Sequence, residues 1–372
     1  MPNLEQIVLL KLFQEENNNS LDYINVDKLI QILNRHKLLP LGASILDYLK
    51  PEDRKITFDE LKSWALKAMF LYNELINIIN EFEANSIYAI PLKGPVLAYQ
   101  LYGDISKRFY SDLDILIENT DLNRIERILS KHNYSLQYPY RDLSDRNTEK
   151  VLLMRDDIGF YNPKKNTYLE VHFGIYDSSF LKRDLGCILF ENPLQIDLKG
   201  NKINTLNKEE YLIYLCYHAA KHSFYRLCWL RDIASVLKKW ELDHNKVLSL
   251  TEKLELQRIV SISLFLVNKY FDIIIPDTYD HFLKNRPVLR WMGMLHFRII
   301  QGPAKEKSKE VFRLQNILRF NRKKEDQVLI NWFLIYIFGL FLKPGIKFKI
   351  QYILQLYKSM IFNRKMKHLA SE

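Results

Sequence analysis

"PLKGPVLAYQLYGDISKRFYSDLDIL", residues 91–116, opens with a Lys-Gly-Pro where a strand ends and closes with Asp112 and Asp114 one residue apart inside a Leu/Ile run. In a β-strand residues i and i+2 share a face, so the two carboxylates project together while Leu113, Ile115 and Ile117 supply apolar contacts. Carboxylates held this close repel each other unless something cationic sits between them. A divalent metal is the usual solution. Mg²⁺ (or Mn²⁺), held by one or two carboxylates and substrate phosphates, describes a nucleoside triphosphate (NTP) site.

The upstream residues supply the other half of such a site. "YAIPLK" (88–93) reads as a strand, Gly94 allows a tight turn or a close backbone approach, and Pro95 suits the first position of a helix over "PVLAYQLYG". A helix N-terminus with a bare glycine is a ready anion site, and Lys93 and Arg108 could neutralise triphosphate charge. Pro91 lacks a ladder donor, which places it at a sheet edge or a strand's end. A third carboxylate comes from "TYLEVHFGIY" (167–176), where alternation puts Leu169, Val171 and Phe173 on one face and Tyr168, Glu170 and His172 on the other. Glu170 could complete a metal cluster and help deprotonate an attacking hydroxyl, with His172 beside it.

Composition bounds these readings. The chain has 372 residues, 48% hydrophobic and 13% aromatic, enough for two or three packed subdomains. Lys and Arg number 54 against 44 Asp and Glu, a formal charge of +10, which favours an anionic partner: nucleotide, nucleic acid or acidic lipid. Three cysteines, Cys187, Cys216 and Cys228, without a C-x-x-C, imply neither a disulfide framework nor a zinc site. With no basic region ahead of the first apolar stretch and no small-residue cleavage site, the expected location is the cytoplasm. Residues 328–342, "VLINWFLIYIFGLFL", are apolar but short of a bilayer span and read first as a buried helix. With the basic, aromatic tail 347–368 they also admit a peripheral membrane contact through 328–368.

The pattern divides the chain into three regions. Residues 1–85 show apolar spacing of helical period throughout, 86–205 break into short β-rich runs ("IYAIPLK", "LDILI", "YSLQY", "KVLLMR", "TYLEVHFGIY", "NKINTL"), and 206–372 return to helix. Asn207 followed by Glu210 makes a capping-box start for the first of the later helices. The predicted class is α+β, a small sheet domain between two helical regions.

Residues 92–117, "LKGPVLAYQLYGDISKRFYSDLDILI", resemble the signature of the uncharacterised nucleotidyltransferase family within the DNA polymerase beta-like superfamily. There a Lys-Gly, a tyrosine, an arginine and an Asp-x-Asp recur in the order of Lys93-Gly94, Tyr102, Arg108 and Asp112-x-Asp114. "LEVHF" resembles a later strand of the family that often has Asp where this chain has Glu170. The stretch 203–237 is similar to the family in His218, His222, Arg226-Leu227 and Asp232. The resemblance covers roughly 70–245.

It implies a polymerase-beta-like palm of small mixed sheet and helices, with Asp112, Asp114 and Glu170 as metal ligands. It also implies Lys93, Gly94, Arg108, His172, His218, His222 and Arg226 as nucleotide-binding residues. The activity implied is Mg²⁺-dependent transfer of a nucleoside monophosphate (NMP) from an NTP to a hydroxyl of RNA (tRNA included), protein or a small molecule, with pyrophosphate released. Many superfamily members carry Gly-Ser where this chain has Gly94-Pro95, so backbone amides and Lys93 must do the serine's work here. His218 and His222, spaced i to i+4, admit either a metal or nucleotide contact or a packing role with Arg226. The alternative function is a non-catalytic nucleotide-binding or membrane-associated scaffold.

Overall fold

The computed structural model describes residues 26–118, 121–137, 157–174, 193–222, 224–254, 256–283 and 289. The expected strand at 150–155, Cys187 and the segments 328–342 and 347–368 lie outside these residues. Among the described residues, those up to Tyr211 form one compact unit and those from Leu212 onward a second.

In the first unit α1 (Val26–Arg35) and two 3-10 turns lead into α2 (Pro51–Ala84). Then come β1 (Ala89–Pro91), α3 (Gly94–Tyr102), β2 (Asp112–Ile117), α4 (Leu122–Lys131), β3 (Ser135–Leu136), β4 (Asp157–Asn162) and β5 (Thr167–His172). A second hairpin follows, β6 (Leu194–Leu198) with β7 (Asn201–Thr205). The main sheet has the order β1-β2-β5-β4-β3 and is mixed: β2 and β5 are parallel and the other pairs antiparallel. The protein is thus α+β around a five-stranded mixed sheet, the class read from the sequence.

The period-2 pattern puts Leu113, Ile115, Ile117, Leu169 and Val171 in one core with Ile125, Ile128 and Leu129 of α4 and with Ala68, Leu71, Leu75, Ile79 and Phe82 of α2. Each of these Leu, Ile, Val and Phe side chains contributes roughly 1.5–3 kcal/mol by leaving water, so the helix-covered face fixes the strand register. The opposite face is left for Asp112, Asp114, Glu170 and His172. Pro91 closes the short edge strand β1, as expected from its missing N–H.

Three local expectations change. α3 begins at Gly94, so Pro95 takes its second position; a first-turn N–H has no helical partner there, and the proline forfeits nothing. The run "YSLQY" contributes only the two-residue β3. β4 and β6 were not foreseen, because "DIGFYN" and "LQIDL" carry polar or glycine residues where a strand usually shows β-branched ones. Gly159 in β4 has a packing reason: an added Cβ would meet the Tyr168 hydroxyl at 2.0 Å, so the Tyr168 ring lies across it.

α2 would run about 50 Å, and its two halves differ. From Ala68 onward one face of it enters the core, whereas Ile56, Phe58 and Leu66 before it are each more than half exposed. Glu74, only 3% exposed on the inner half, accepts hydrogen bonds from the Tyr134 hydroxyl at 2.8 Å and Lys165 Nζ at 2.7 Å. This links α2 to the start of β3 and to the β4–β5 turn.

In the second unit lie most of α5 (Lys208–Lys221), then α6 (Leu227–Lys239), α7 (His244–Lys253) and α8 (Gln257–Phe271). Asn207 caps α5 as expected, its Oδ1 accepting the Glu210 N–H at 3.0 Å. The two described cysteines, Cys216 and Cys228, are buried. Among the described residues no helix is long and apolar enough to cross a membrane.

Candidate active site

β2 and β5 lie side by side with Asp112 opposite Tyr168, Asp114 opposite Glu170 and Leu116 opposite His172. Opposed residues share a face, so the Asp-x-Asp of one strand and the Glu-x-His of the other meet. His172 Nε2 stands 3.2 Å from Asp114 Oδ1 and 3.7 Å from Glu170 Oε2. One donor atom each from Asp114, Glu170 and His172 lie within 4.8 Å of one another, close enough to hold one cation.

Lys93 reaches the same carboxylate from the position just before α3. Its Nζ is 2.8 Å from Asp114 Oδ1, with the two side chains 11% and 3% exposed. The backbone that aims it is held on both sides: the Leu92 N–H donates to the Asp114 carbonyl at 2.9 Å, and the Tyr211 hydroxyl donates to the Leu92 carbonyl at 2.7 Å. Gly94 then turns with φ +62, a conformation that other residues enter at a cost. Tyr211→Phe should therefore strand a buried carbonyl next to Lys93 and cost about 1–2 kcal/mol in a urea melt. An unchanged midpoint would mean that the hydrogen bond contributes nothing.

Electrostatics show a face with more negative charge than its lysine balances. Burial and then the Asp114 charge raise the pKa of Asp112. Burial and then Asp114 also push Glu170 up to about 7. Burial opposes ionisation of Asp114 as well, but Lys93 and the hydrogen bond from His172 outweigh it and hold Asp114 below the ordinary carboxylate range. Burial works against the Lys93 charge, yet Asp114, Asp112 and Glu170 together raise its pKa. Two hard oxygen donors, a neighbouring imidazole and a charge deficit fit a divalent cation.

This surplus of carboxylate has a measurable cost. Because the folded pKa of Glu170 is raised, the folded chain holds a proton that the unfolded chain has released as pH climbs from about 4.5 to about 7. Stability from this group falls through that window, and the penalty is complete above it. Glu170→Gln should accordingly raise the unfolding free energy of metal-free protein at pH 8, by about 1 kcal/mol after solvent screening, with no gain at pH 4. It should also shrink the stabilisation given by added Mg²⁺ or Mn²⁺; equal responses in mutant and wild type would overturn this picture.

The family model for uncharacterised nucleotidyltransferases matches residues 22–272, about two thirds of the chain. The chain belongs to the uncharacterised nucleotidyltransferase family. The match reaches further in both directions than the 70–245 read from motifs and takes in α1, α2 and α8. No curated protein and no solved structure matches the chain.

Arg108 is buried at 7% exposure in the link between α3 and β2, and its charge acts on Tyr110. That link is packed on α2 by Trp64, whose Nε1–H donates to the Ser106 carbonyl at 2.7 Å and whose ring stacks on Phe109 at 4.6 Å. His218, His222 and Arg226 gather in the second unit around Trp229. His222 falls just past the end of α5, yet the two imidazoles still meet at 4.8 Å, and they lie 5.4 and 4.9 Å from the Trp229 ring. Arg226 lies over Tyr225 and Trp229 at 5.1 and 5.8 Å.

Asp157 went unnoticed in the sequence because β4 did. It stands directly opposite His172 on the same face. Trp229 belongs to no motif in the sequence, and its spacing from the histidines gives no warning of a shared cluster.

Proposed function

We propose that this chain transfers an NMP from an NTP to a hydroxyl acceptor and releases pyrophosphate. The observation that carries this reading is the meeting of Asp112, Asp114 and Glu170 on one face of β2 and β5, with Lys93 at the start of α3 reaching into them, in a chain of nucleotidyltransferase family. The architecture is read as a polymerase-beta-like palm.

In the reaction the acceptor oxygen forms a bond to the α-phosphorus as the bond from that phosphorus to the bridging oxygen of pyrophosphate breaks. Asp112, Asp114 and Glu170 would hold the divalent cation, which supplies positive charge to the phosphates and lowers the pKa of the acceptor hydroxyl. Glu170, opposite Asp114 on the shared face, would hold the cation and help deprotonate the attacking hydroxyl. Lys93 keeps Asp114 ionised until an anionic phosphate offers its ammonium a second partner. The first-turn N–H groups of α3 are the backbone donors available to the same phosphates. Arg108 is proposed as a further nucleotide contact, and His218, His222 and Arg226 as nucleotide-binding residues of the second unit.

The net charge of +10 favours an anionic acceptor such as RNA, with a protein or small-molecule hydroxyl as the other classes. The test is to incubate the purified chain with Mg²⁺ or Mn²⁺, each NTP radiolabelled at the α-phosphate and a cell lysate. Label that enters RNA, protein or a small molecule with wild type and not with Asp112→Asn supports the reading and names the acceptor class. Nucleotide binding without transfer under every condition would favour the scaffold alternative.

A further inference from the structure

We infer that His172 is itself a ligand of the cation, so that the site is a mixed nitrogen–oxygen set of Asp114, Glu170 and His172 that prefers Mn²⁺ over Mg²⁺. The inference rests on the metal-dependent reading above and goes beyond it, since a three-carboxylate site would hold Mg²⁺ by oxygen alone.

The geometry comes from the strand register. His172 follows Glu170 by two residues on β5, which puts both on the face that Asp114 shares. Its Nε2 is 3.2 Å from Asp114 Oδ1 and 3.7 Å from Glu170 Oε2. A six-coordinate cation with bonds of about 2.1 Å sets neighbouring donors roughly 3 Å apart, which is near the spacing already present before any ion enters. The imidazole is only 8% exposed, and its Nε2 faces the two carboxylates. Among the described residues Asp114, Glu170 and His172 are the one group of three potential donors gathered this tightly.

Donor chemistry then selects the metal. Imidazole nitrogen binds borderline divalent ions of the first transition row and adds little for Mg²⁺, which demands oxygen. Lys93 Nζ, 2.8 Å from Asp114 Oδ1, shows that this corner of the site holds positive charge. Asp112, one pleat along β2, stays available as an oxygen donor.

The test uses full-length protein and MnCl₂ as the probe, with and without a non-hydrolysable NTP analogue. Electron spin-echo modulation from bound Mn²⁺ reports a coordinated nitrogen directly, independently of activity. Wild type should show the nitrogen signal, and protein grown on ¹⁵N-histidine should show its isotope shift. His172→Gln should lose the signal, bind Mn²⁺ about tenfold more weakly, and lose most of its preference for Mn²⁺ over Mg²⁺. Should His172→Gln fail to fold, the isotope shift in wild type, abolished by Glu170→Gln, carries the same result. Mn²⁺ bound without nitrogen modulation would overturn the inference and leave the metal-dependent function standing. No Mn²⁺ binding, with or without the analogue, would overturn both.

Discussion

Asp114→Asn is expected to lower NMP transfer by at least about a thousandfold and to destabilise the fold, while Asp112→Asn lowers transfer and leaves the fold as stable as wild type or more so. The activity loss follows from removing a carboxylate that faces Glu170 and His172. The difference in stability follows from what each carboxylate balances. Asp114 is the partner of a buried lysine at 2.8 Å, and an amide there replaces a charged hydrogen bond, a loss of about 2 kcal/mol. Asp112 is held in a place where burial and its neighbour's charge resist its ionisation, so neutralising it relieves repulsion. Parallel transfer assays and urea melts on the two mutants check this. Full transfer activity in both would remove the enzyme assignment, and equal melts would remove the special pairing of Lys93 with Asp114.

Lys165→Met is expected to be much more damaging than Glu74→Leu. Glu74 is 3% exposed, and the Lys165 side chain is 37% exposed, so the two partners have unequal escape routes. Without its ammonium the Glu74 carboxylate is left inside with the Tyr134 hydroxyl alone, at a cost of about 2–3 kcal/mol once the partial exposure of the lysine is allowed for. Without its carboxylate the lysine turns to water, and only the Tyr134 hydroxyl loses a partner, about 1 kcal/mol. Because the pair ties α2 to the β4–β5 turn, Lys165→Met should also weaken metal binding by loosening the strand that carries Glu170 and His172. Equal destabilisation by the two substitutions would show that packing, not charge, holds this link.

Much of the site could be read from the chain because its chemistry is written in period-2 spacing. Asp112-x-Asp114 and Glu170-x-His172 each fix a face without knowledge of the partner strand, and a parallel pairing of β2 with β5 is then enough to bring them together. Lys93-Gly94 could be read for a similar reason, since a glycine between a strand and a helix has few other uses. The sequence could not show which donors meet most closely. Side-chain reach puts His172 nearer Asp114 than a list of carboxylates suggests. β4 was hidden because its glycine serves the Tyr168 ring of the neighbouring strand, a cross-strand dependence invisible to a window along one segment. The tie between Glu74, Tyr134 and Lys165 spans 91 residues and leaves no local pattern at all.

The two halves of α2 should part company in amide hydrogen exchange. Backbone hydrogen bonds from Ala68 to Phe82 lie under the sheet and open only with the core, whereas those around Ile56 to Leu66 are backed by solvent-exposed side chains on one side. Protection should therefore step upward near Ala68 within a single unbroken helix, making the outer half a separate, weaker unit of local unfolding.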